Sequence, residues 1–426
     1  MSKLNKYKLD TLYEISSGIS TKPEQYGNGT PFLSFSTIFN NYFIPDELKE
    51  LMNTTEKEQE VYSIKKGDIF LTRTSETLNE LAMSCVALKD YPQATFSGFA
   101  KRLRPIQKNI TYDKFMGFFL RSKYFRKIID NNAIMTLRAS FNEKIFSYLN
   151  VELPEYEEQV KIGNLLHFIE EKIKTNNKIN IELEKLAKTL YDYWFVQFDF
   201  PDENERPYKS SGGAMVYNEI LKRDIPVGWE VENISKYCNI IDCLHSKKPD
   251  FCYEANNLYL LQLENLTNDG YIDITNKYYI SKDDYKSWTQ KIEIQENDFV
   301  FTNAGRTGAF GKIPKYIKCA LGRNLTAIRP ISISPYYLRM YFGSNDMRQQ
   351  VLSNLDCGAF FKSFNVKSIK LIALLIPQEN ILNNFILKIS PIIKQIETNN
   401  IETQFLTEVR DFLLPMLMNG QVTIRQ

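Results

Sequence analysis

The chain has 426 residues, of which 43% are hydrophobic and 24% are charged. This is the composition of a folded protein, and it excludes a disordered or collagen-like chain. Lysine and arginine number 53 against 51 acidic residues, and the resulting net charge of +2 excludes a uniformly basic nucleic-acid-binding protein. At roughly 150 residues per domain, the length predicts two or three domains.

The location of the protein is predicted from its termini and cysteines. No run of about 18 apolar residues is present, so we expect no membrane-spanning helix. The N-terminal sequence has no apolar core of the kind found in secretion signals. Six cysteines in a chain of this length are typical of reduced thiols. We therefore expect a cytoplasmic protein.

Residues 1–152 are predicted to form a strand-rich, mixed α/β domain. The run Asp68–Thr72 (DIFLT) is apolar, β-prone and bounded by turn residues, and a helical stretch follows at Tyr112–Asp130. In residues 153–225, apolar side chains recur every three or four positions from Ile162 to Trp194, which predicts one long helix beginning after Pro154. A connector rich in Pro, Gly and Ser follows at 201–213.

The same order of elements returns in the second half of the chain. Residues 226–375 contain strand-like runs at Leu258–Leu263 and Asp298–Thr302 and a helical stretch at Tyr336–Leu352, which predicts a second mixed α/β domain. In residues 376–426, Pro377 precedes a second long stretch with helical periodicity, from Ile389 to Met416.

Short sequence matches at a constant spacing show that the chain is an internal repeat. SFN at 140–142, LP at 153–154 and TNN at 175–177 recur as SFN, IP and TNN, each 223 positions later. Upstream the offset changes: GDIFLTRTSET (67–77) resembles NDFVFTNAGRTG (297–308), and RPI occurs at 104–106 and at 329–331. The organisation is a variable part and a helix, followed by a second variable part and a second helix.

Two matching helices in one chain can cover each other's apolar stripes. Asn176 and its counterpart Asn399 fall within these stripes, and a polar residue in an apolar seam usually fixes the register of the pair. We expect an intramolecular pair, with a homodimeric zipper as the alternative.

The net charge is unevenly distributed among the segments of the repeat. The four segments 1–150, 151–225, 226–375 and 376–426 carry net charges of +5, −5, +3 and −1. Within the variable parts, residues 101–150 reach +8 and residues 299–375 reach +9. Basic charge combined with Ser, Thr, Asn and aromatic side chains is typical of a surface that contacts DNA, and a solvated basic face is the alternative.

Motifs for catalysis in this chain are incomplete. Gly305–Lys312 (GRTGAFGK) resembles a phosphate-binding loop, but its spacing is one residue too long and Ile313 stands where a hydroxyl is needed, so we interpret it as a connector between strands. No Pro-Pro pair of an adenine-methyltransferase motif is present. Cys238, Cys243, His245 and Cys252 have irregular spacing for zinc, and we predict no metal site.

Several longer segments resemble one family. They are LPEYEEQVKIGNLL (153–166), WFVQFDFP (194–201), PYKSSGG (207–213), LKRDIPVGWE (221–230), RDFLLPMLMNGQV (410–422) and KKGDIFLTRTSET (65–77). Together with the repeat, they make the whole chain similar to the specificity (S) subunit of type I restriction–modification enzymes. The second copy departs from the first, because it reads IPQENILNNF (376–385) and lacks the Glu-Gln pair.

The resemblance implies an α+β fold in which two target recognition domains are separated by two long antiparallel helices with pseudo-twofold symmetry. It implies a non-catalytic DNA-binding protein that recognises a bipartite asymmetric site, one half per domain. Two methyltransferase (modification) subunits and restriction subunits would be its partners, and they would carry S-adenosylmethionine, ATP and Mg²⁺. The alternatives are a stand-alone sequence-specific DNA-binding protein and a DNA-cutting or DNA-modifying enzyme.

The candidate DNA-contacting residues are polar or basic side chains of the two variable parts, which can bind phosphates or base edges. They are Arg73, Thr74, Lys101, Arg102, Arg138, Lys144, Asn303, Arg306, Lys312, Arg323, Lys362 and Lys367. Arg104 and Arg329 precede prolines in matching repeats, and a structural role is at least as well supported for them. The candidate partner-binding residues, for which packing of the helix end against the second domain is the alternative, are Trp194, Phe195, Phe198, Phe200 and Tyr208.

Overall fold

The computed structural model describes residues 3–20, 22–75, 80–132, 139–141, 143–244, 246–253, 257–315, 317–357 and 362–424. The chain divides into two units, which we call the first unit (Met1–Thr175 with Thr403–Gln426) and the second unit (Asn176–Glu402). Each unit thus combines one variable part with portions of both long helices, whereas the predicted segments 153–225 and 376–426 keep each helix whole.

The first unit is built from short strands and helices that are followed by the first long helix. Its strands are β1 Leu4–Lys8, β2 Tyr13–Ser17, β3 Tyr26–Leu33, β4 Leu51–Met52, β5 Ile69–Thr72, β6 Thr74–Ser75, β7 Ser84–Val86, β8 Thr95–Phe96, β9 Ala100–Pro105, β10 Ala139–Ser140 and β11 Asn150–Pro154. Its helices are α1 Leu9–Leu12, α2 Phe35–Asn40, α3 Glu56–Val61, α4 Asp113–Phe119, α5 Lys123–Asn132, α6 Glu143–Tyr148 and the beginning of α7 Tyr156–Tyr191.

An antiparallel sheet in the order β2-β9-β5-β7 is the centre of the first unit. All four side chains of β5 are buried, as its apolar sequence predicts for a strand covered on both faces. A smaller sheet, β4-β3-β8, contains the parallel pair β3–β8, and β1 pairs with β11 immediately before α7.

The second unit repeats this plan after the first long helix ends. A π-helical turn, Asp192–Val196, follows α7. The strands are β12 Met215–Asn218, β13 Arg223–Pro226, β14 Glu230–Asn233, β15 Cys238–Asp242, β16 Tyr259–Leu261, β17 Tyr278–Tyr279, β18 Glu293–Ile294, β19 Phe299–Thr302, β20 Phe310–Lys312, β21 Cys319–Leu321, β22 Leu325–Pro330, β23 Asp356–Cys357, β24 Lys362–Ser363 and β25 Ala373–Ile376. The helices are α8 Lys282–Trp288, α9 Pro335–Phe342, α10 Asn345–Ser353, α11 Val366–Lys370 and α12 Glu379–Met418.

Strand order shows that the internal repeat extends to three dimensions. The antiparallel sheet β15-β22-β19-β20 corresponds to β2-β9-β5-β7, and the pair β14–β25 corresponds to β1–β11. The second small sheet, β17-β16-β21-β18, again contains a parallel pair, β16–β21. The predicted α+β class with two sheet-containing domains is therefore confirmed.

The two RPI motifs have the same structural role in both units. The Arg104 guanidinium donates to both carboxylate oxygens of the fully buried Asp68, at 2.8 and 2.6 Å. Arg329 makes the same two-pronged pair with Asp298, at 2.7 and 2.6 Å. These hydrogen bonds raise the pKa of both arginines. The structural interpretation of these two residues is therefore correct.

Both long helices begin two residues after a proline, at Tyr156 and at Glu379, as the sequence predicts. In the first unit the start of α7 lies beside the end of α12. There Arg410 donates to Glu170 at 2.8 Å, and the backbone N–H of Ile424 donates to Glu158 at 3.3 Å. Because later residues of α12 meet earlier residues of α7, the pairing is antiparallel.

In the second unit the seam between the helices contains an asparagine cluster. Asn176 donates to Glu402, Asn180 donates to Asn400, and Asn399 donates to Asn180, each at 2.8 Å. Asn176 and Asn399 are buried, as their place in the apolar stripe predicts. The intramolecular helix pair is confirmed, and these polar contacts fix its register.

Residues at equivalent positions near the ends of the two long helices are buried in the hydrophobic cores of the two units. In the second unit Trp194 and Phe195 are buried together with Phe385 and Tyr337. The residues 223 positions after Trp194 and Phe195 are Leu417 and Met418, and they are buried in the core of the first unit. Within the part of the chain that the structure describes, no helix is both long and apolar enough to cross a membrane.

Candidate functional site

In the first unit, three chain segments meet where β5 ends. The backbone N–H of Arg73 donates to the carbonyl of Phe99, in the turn between β8 and β9, at 2.8 Å. The carbonyl of Arg73 accepts from the N–H of Phe141, just after β10, at 2.8 Å. Residues Arg73, Thr74 and Phe99, which we call the first edge, are thereby held together, and the Arg73 side chain is exposed.

The second unit has the same junction with different side chains. The N–H of Asn303 donates to the carbonyl of Asn324, and the carbonyl of Asn303 accepts from Phe364, both at 2.8 Å. The Thr326 hydroxyl and the Asn303 side-chain oxygen lie 2.8 Å apart. We call Asn303, Arg323 and Asn324 the second edge, and its Arg323 and Asn324 are exposed.

Further predicted residues lie on other segments of the same units. Lys144 on α6 and Lys367 on α11 are 223 positions apart, and both are exposed. Arg306 lies in the β19–β20 connector, where its guanidinium donates to the carbonyl of Leu266 at 2.7 Å and to Asn268 at 2.5 Å. Lys362 lies in β24, whereas Arg138 lies outside the described residues.

Three of the predicted basic residues are buried and engaged inside their own unit. Lys101 is hydrogen-bonded to Ser17 at 2.7 Å and paired with Glu143 at 3.1 Å. Arg102 donates to the carbonyls of Val61 and Ser63, and burial lowers its pKa. Lys312, 2% exposed, forms an ion pair with Glu397 of α12 at 2.6 Å. Their charged groups are bonded inside the unit, so the exposed candidates are better placed for DNA.

The glycine-rich segment Gly305–Lys312 is the connector between β19 and β20 together with β20 itself. The Thr302 hydroxyl donates to the carbonyls of Arg306 and of Ala309 across this connector. The interpretation as a strand connector is confirmed.

The predicted partner-binding aromatics are core residues of the second unit. Trp194, Phe195, Phe198 and Phe200 are each at most 3% exposed, and Tyr208 stacks on Phe200 with ring centroids 4.7 Å apart. In the structure these side chains pack the end of the helix against the second domain, which was the alternative interpretation. A second protein would have to contact the exposed residues around them.

The cysteine cluster gives no support for zinc. Burial raises the pKa of the Cys238 thiol to about 12, which disfavours the thiolate that zinc requires. His245 lies outside the described residues. Among the described residues, no group of three or more His, Cys, Asp or Glu side chains is arranged to hold a metal ion.

Two residues of the edges, Phe99 and Asn324, are missing from the sequence predictions. Aligning the RPI repeats at their offset of 225 places Phe99 opposite Asn324, beside Arg323. That alignment could have found them, but the candidates were chosen as polar or basic side chains and Phe99 is neither.

Comparison with known proteins shows similarity to subunits of restriction systems. Residues 1–185 match the type I restriction modification DNA specificity domain. The MjaIX specificity subunit of Methanocaldococcus jannaschii is 23% identical, covering 98% of this chain and 93% of its own length. The HindI specificity subunit of Haemophilus influenzae is 21% identical, covering 98% of this chain and all of its own.

A solved structure shares the fold. The crystal structure of the type I restriction–modification S subunit from M. genitalium has a TM-score of 0.58 at 13% identity, covering 98% of this chain and 96% of that one. Sequence motifs, repeated architecture and these similarities agree: along nearly its whole length the chain is similar to specificity subunits of type I restriction–modification enzymes.

Proposed function

We propose that this chain recognises a bipartite, asymmetric DNA site, with the first edge contacting one half-site and the second edge the other. The observation that carries the proposal is the repeated junction at the end of β5 and of β19. It presents polar side chains in two variable parts, 1–150 and 226–375, that carry net charges of +5 and +3, and among these side chains Arg73, Arg323 and Asn324 are exposed.

The side chains of the two edges differ, which supports an asymmetric site. Arg73 corresponds to Asn303, and arginine pairs best with guanine whereas asparagine pairs best with adenine. Two identical edges would instead favour a palindromic site.

The proposed partners are modification subunits that dock on the long helices and carry S-adenosylmethionine, with restriction subunits joining that complex and supplying ATP- and Mg²⁺-dependent steps. The docking contacts that we propose on the helices are large exposed apolar side chains, which mark interaction sites where they form a contiguous patch. In the first unit they are Phe168, Phe405 and Phe412, and in the second unit Ile181, Leu186, Leu387 and Ile401.

The experiment compares the purified chain alone, a cognate modification subunit alone, and the mixture, on DNA with labelled S-adenosylmethionine. Methylation at a defined sequence only in the mixture is expected. Methylation by the chain alone would make it an enzyme, and tight sequence-specific binding with no effect on any modification subunit would favour a stand-alone DNA-binding protein.

A further inference from the structure

The first edge contains an exposed aromatic ring that does not pack into the hydrophobic core of its unit. Phe99 is 60% exposed, although it directly precedes β9, whose side chains from Ala100 to Leu103 are buried. Removing a phenyl ring from water is favourable, so a ring left exposed beside a basic edge is available for a ligand.

The turn that carries Phe99 is held rigidly. Its backbone N–H donates to the hydroxyl of Ser97 at 3.2 Å, its carbonyl accepts from Arg73 at 2.8 Å, and the N–H of Gly98 donates to Ile19 at 2.8 Å. A Cβ added at Gly98 would lie 2.7 Å from the Ile19 carbonyl oxygen, so the tight approach requires glycine there. The backbone of such a turn is fixed before binding, so little backbone conformational entropy is lost when its side chain contacts a ligand.

The matching turn of the second unit is polar. Arg323 and Asn324 occupy the positions of Gly98 and Phe99, and Asn324 has the left-handed φ of +61°. The exposed ring therefore belongs to the first edge and is not a shared requirement of the fold.

Resting on the proposed function, we infer that Phe99 is a specificity-determining residue that makes an apolar contact with a base in the first half-site. The occupant is DNA because the backbone of Phe99 is hydrogen-bonded to that of the exposed Arg73, in a variable part (1–150) of net charge +5. Phenylalanine contacts bases either at the thymine methyl group in the major groove or as a wedge between base steps. The second half-site is read at the same position by polar side chains.

The test uses the full-length chain with its modification subunit and maps methylated sites for wild type, Phe99→Ala and Ile106→Ala. Ile106 is a matched control because it is 58% exposed and lies at the opposite end of β9. Phe99→Ala should lose base preference at one or two adjacent positions of one half-site, with affinity for the cognate DNA about tenfold lower, the usual cost of one lost base contact. Ile106→Ala should resemble wild type.

Replacing thymine by deoxyuridine at the affected position distinguishes the two contacts. If Phe99 touches the thymine methyl group, the replacement weakens DNA binding by the wild-type protein and does not change DNA binding by Phe99→Ala. If the ring is a wedge between base steps, the replacement changes DNA binding by neither protein. The inference about Phe99 would be wrong if Phe99→Ala kept its base preference. It would also be wrong if Phe99→Ala bound the modification subunit more weakly while its base preference stayed intact. Neither result would contradict the proposed function. A wild-type complex without any sequence preference would overturn the proposed function.

Discussion

At the scale of single residues, burial separates cations that stabilise the fold from cations that are available to DNA. Lys312 and Arg323 both lie in the basic region of the second unit and were equivalent candidates in the sequence. In the structure Lys312 is buried against Glu397, whereas Arg323 is exposed in the β21–β22 turn. The sequence could not distinguish these two residues, because each adds one positive charge and formal charge carries no information on burial.

This difference predicts opposite effects of two alanine substitutions. Lys312→Ala leaves Glu397 without its buried partner and should lower the free energy of unfolding of the second unit by about 3 kcal/mol. Arg323→Ala should leave stability within about 0.5 kcal/mol of wild type but weaken DNA binding by about 1–3 kcal/mol. Thermal unfolding and a salt-controlled binding assay measure the two effects. A stable Lys312→Ala protein with weakened DNA binding would show that this lysine contacts DNA.

Part of the candidate site could be predicted from the sequence. Arg73, Asn303 and Arg323 were found as polar or basic residues of the variable parts, and the structure brings each to an edge. Lys101 and Arg102 could not be separated from them, because β9 is an internal strand of its sheet and contains charged residues that hydrogen-bond within the unit. Phe99 was missed because an aromatic residue near a strand is expected to be buried.

At the scale of elements, the end of the last helix is part of the first unit. Leu417 and Met418 of α12 are buried in the same core as Phe115 and Ile162. The helical periodicity and the proline before each helix predict the helices themselves. Which core each helix end joins depends on tertiary packing, and local sequence does not encode it.

Leu417→Ala should therefore destabilise residues at the other end of the sequence. Creating a cavity in this core should cost about 2–5 kcal/mol, and hydrogen exchange should become faster in β2, β5 and β9. Phe412→Ala is the control, because Phe412 lies on the same helix and is 70% exposed. Faster exchange in β15, β19 and β22 with no change in the first unit would contradict this assignment of α12.

The antiparallel helix pair carries different polar contacts in the two units. Glu170 and Arg410 pair in the first unit, whereas the residues equivalent to them in the second unit, Ile393 and Ala187, are buried and apolar. An unlike polar pair is satisfied only when the two different helices meet. This pair therefore favours packing of α7 against α12 in one register.

At the scale of the whole molecule, the net charge of +2 is the sum of basic variable parts and helical segments that are acidic or nearly neutral. The internal repeat, the α+β class and the paired helices follow from sequence periodicity and constant offsets. The bases recognised depend on side-chain geometry in the DNA groove, which neither the repeat nor the charge determines.

The central claim is that each edge reads one half of the DNA site. Genome-wide methylation mapping of the full-length chain with its modification subunit tests it, using wild type, Arg73→Ala and Asn303→Ala. The account predicts a bipartite site for wild type, relaxed preference confined to one half-site for Arg73→Ala, and relaxed preference confined to the other for Asn303→Ala. If either substitution relaxed both half-sites equally, the account of two independent readers would be wrong.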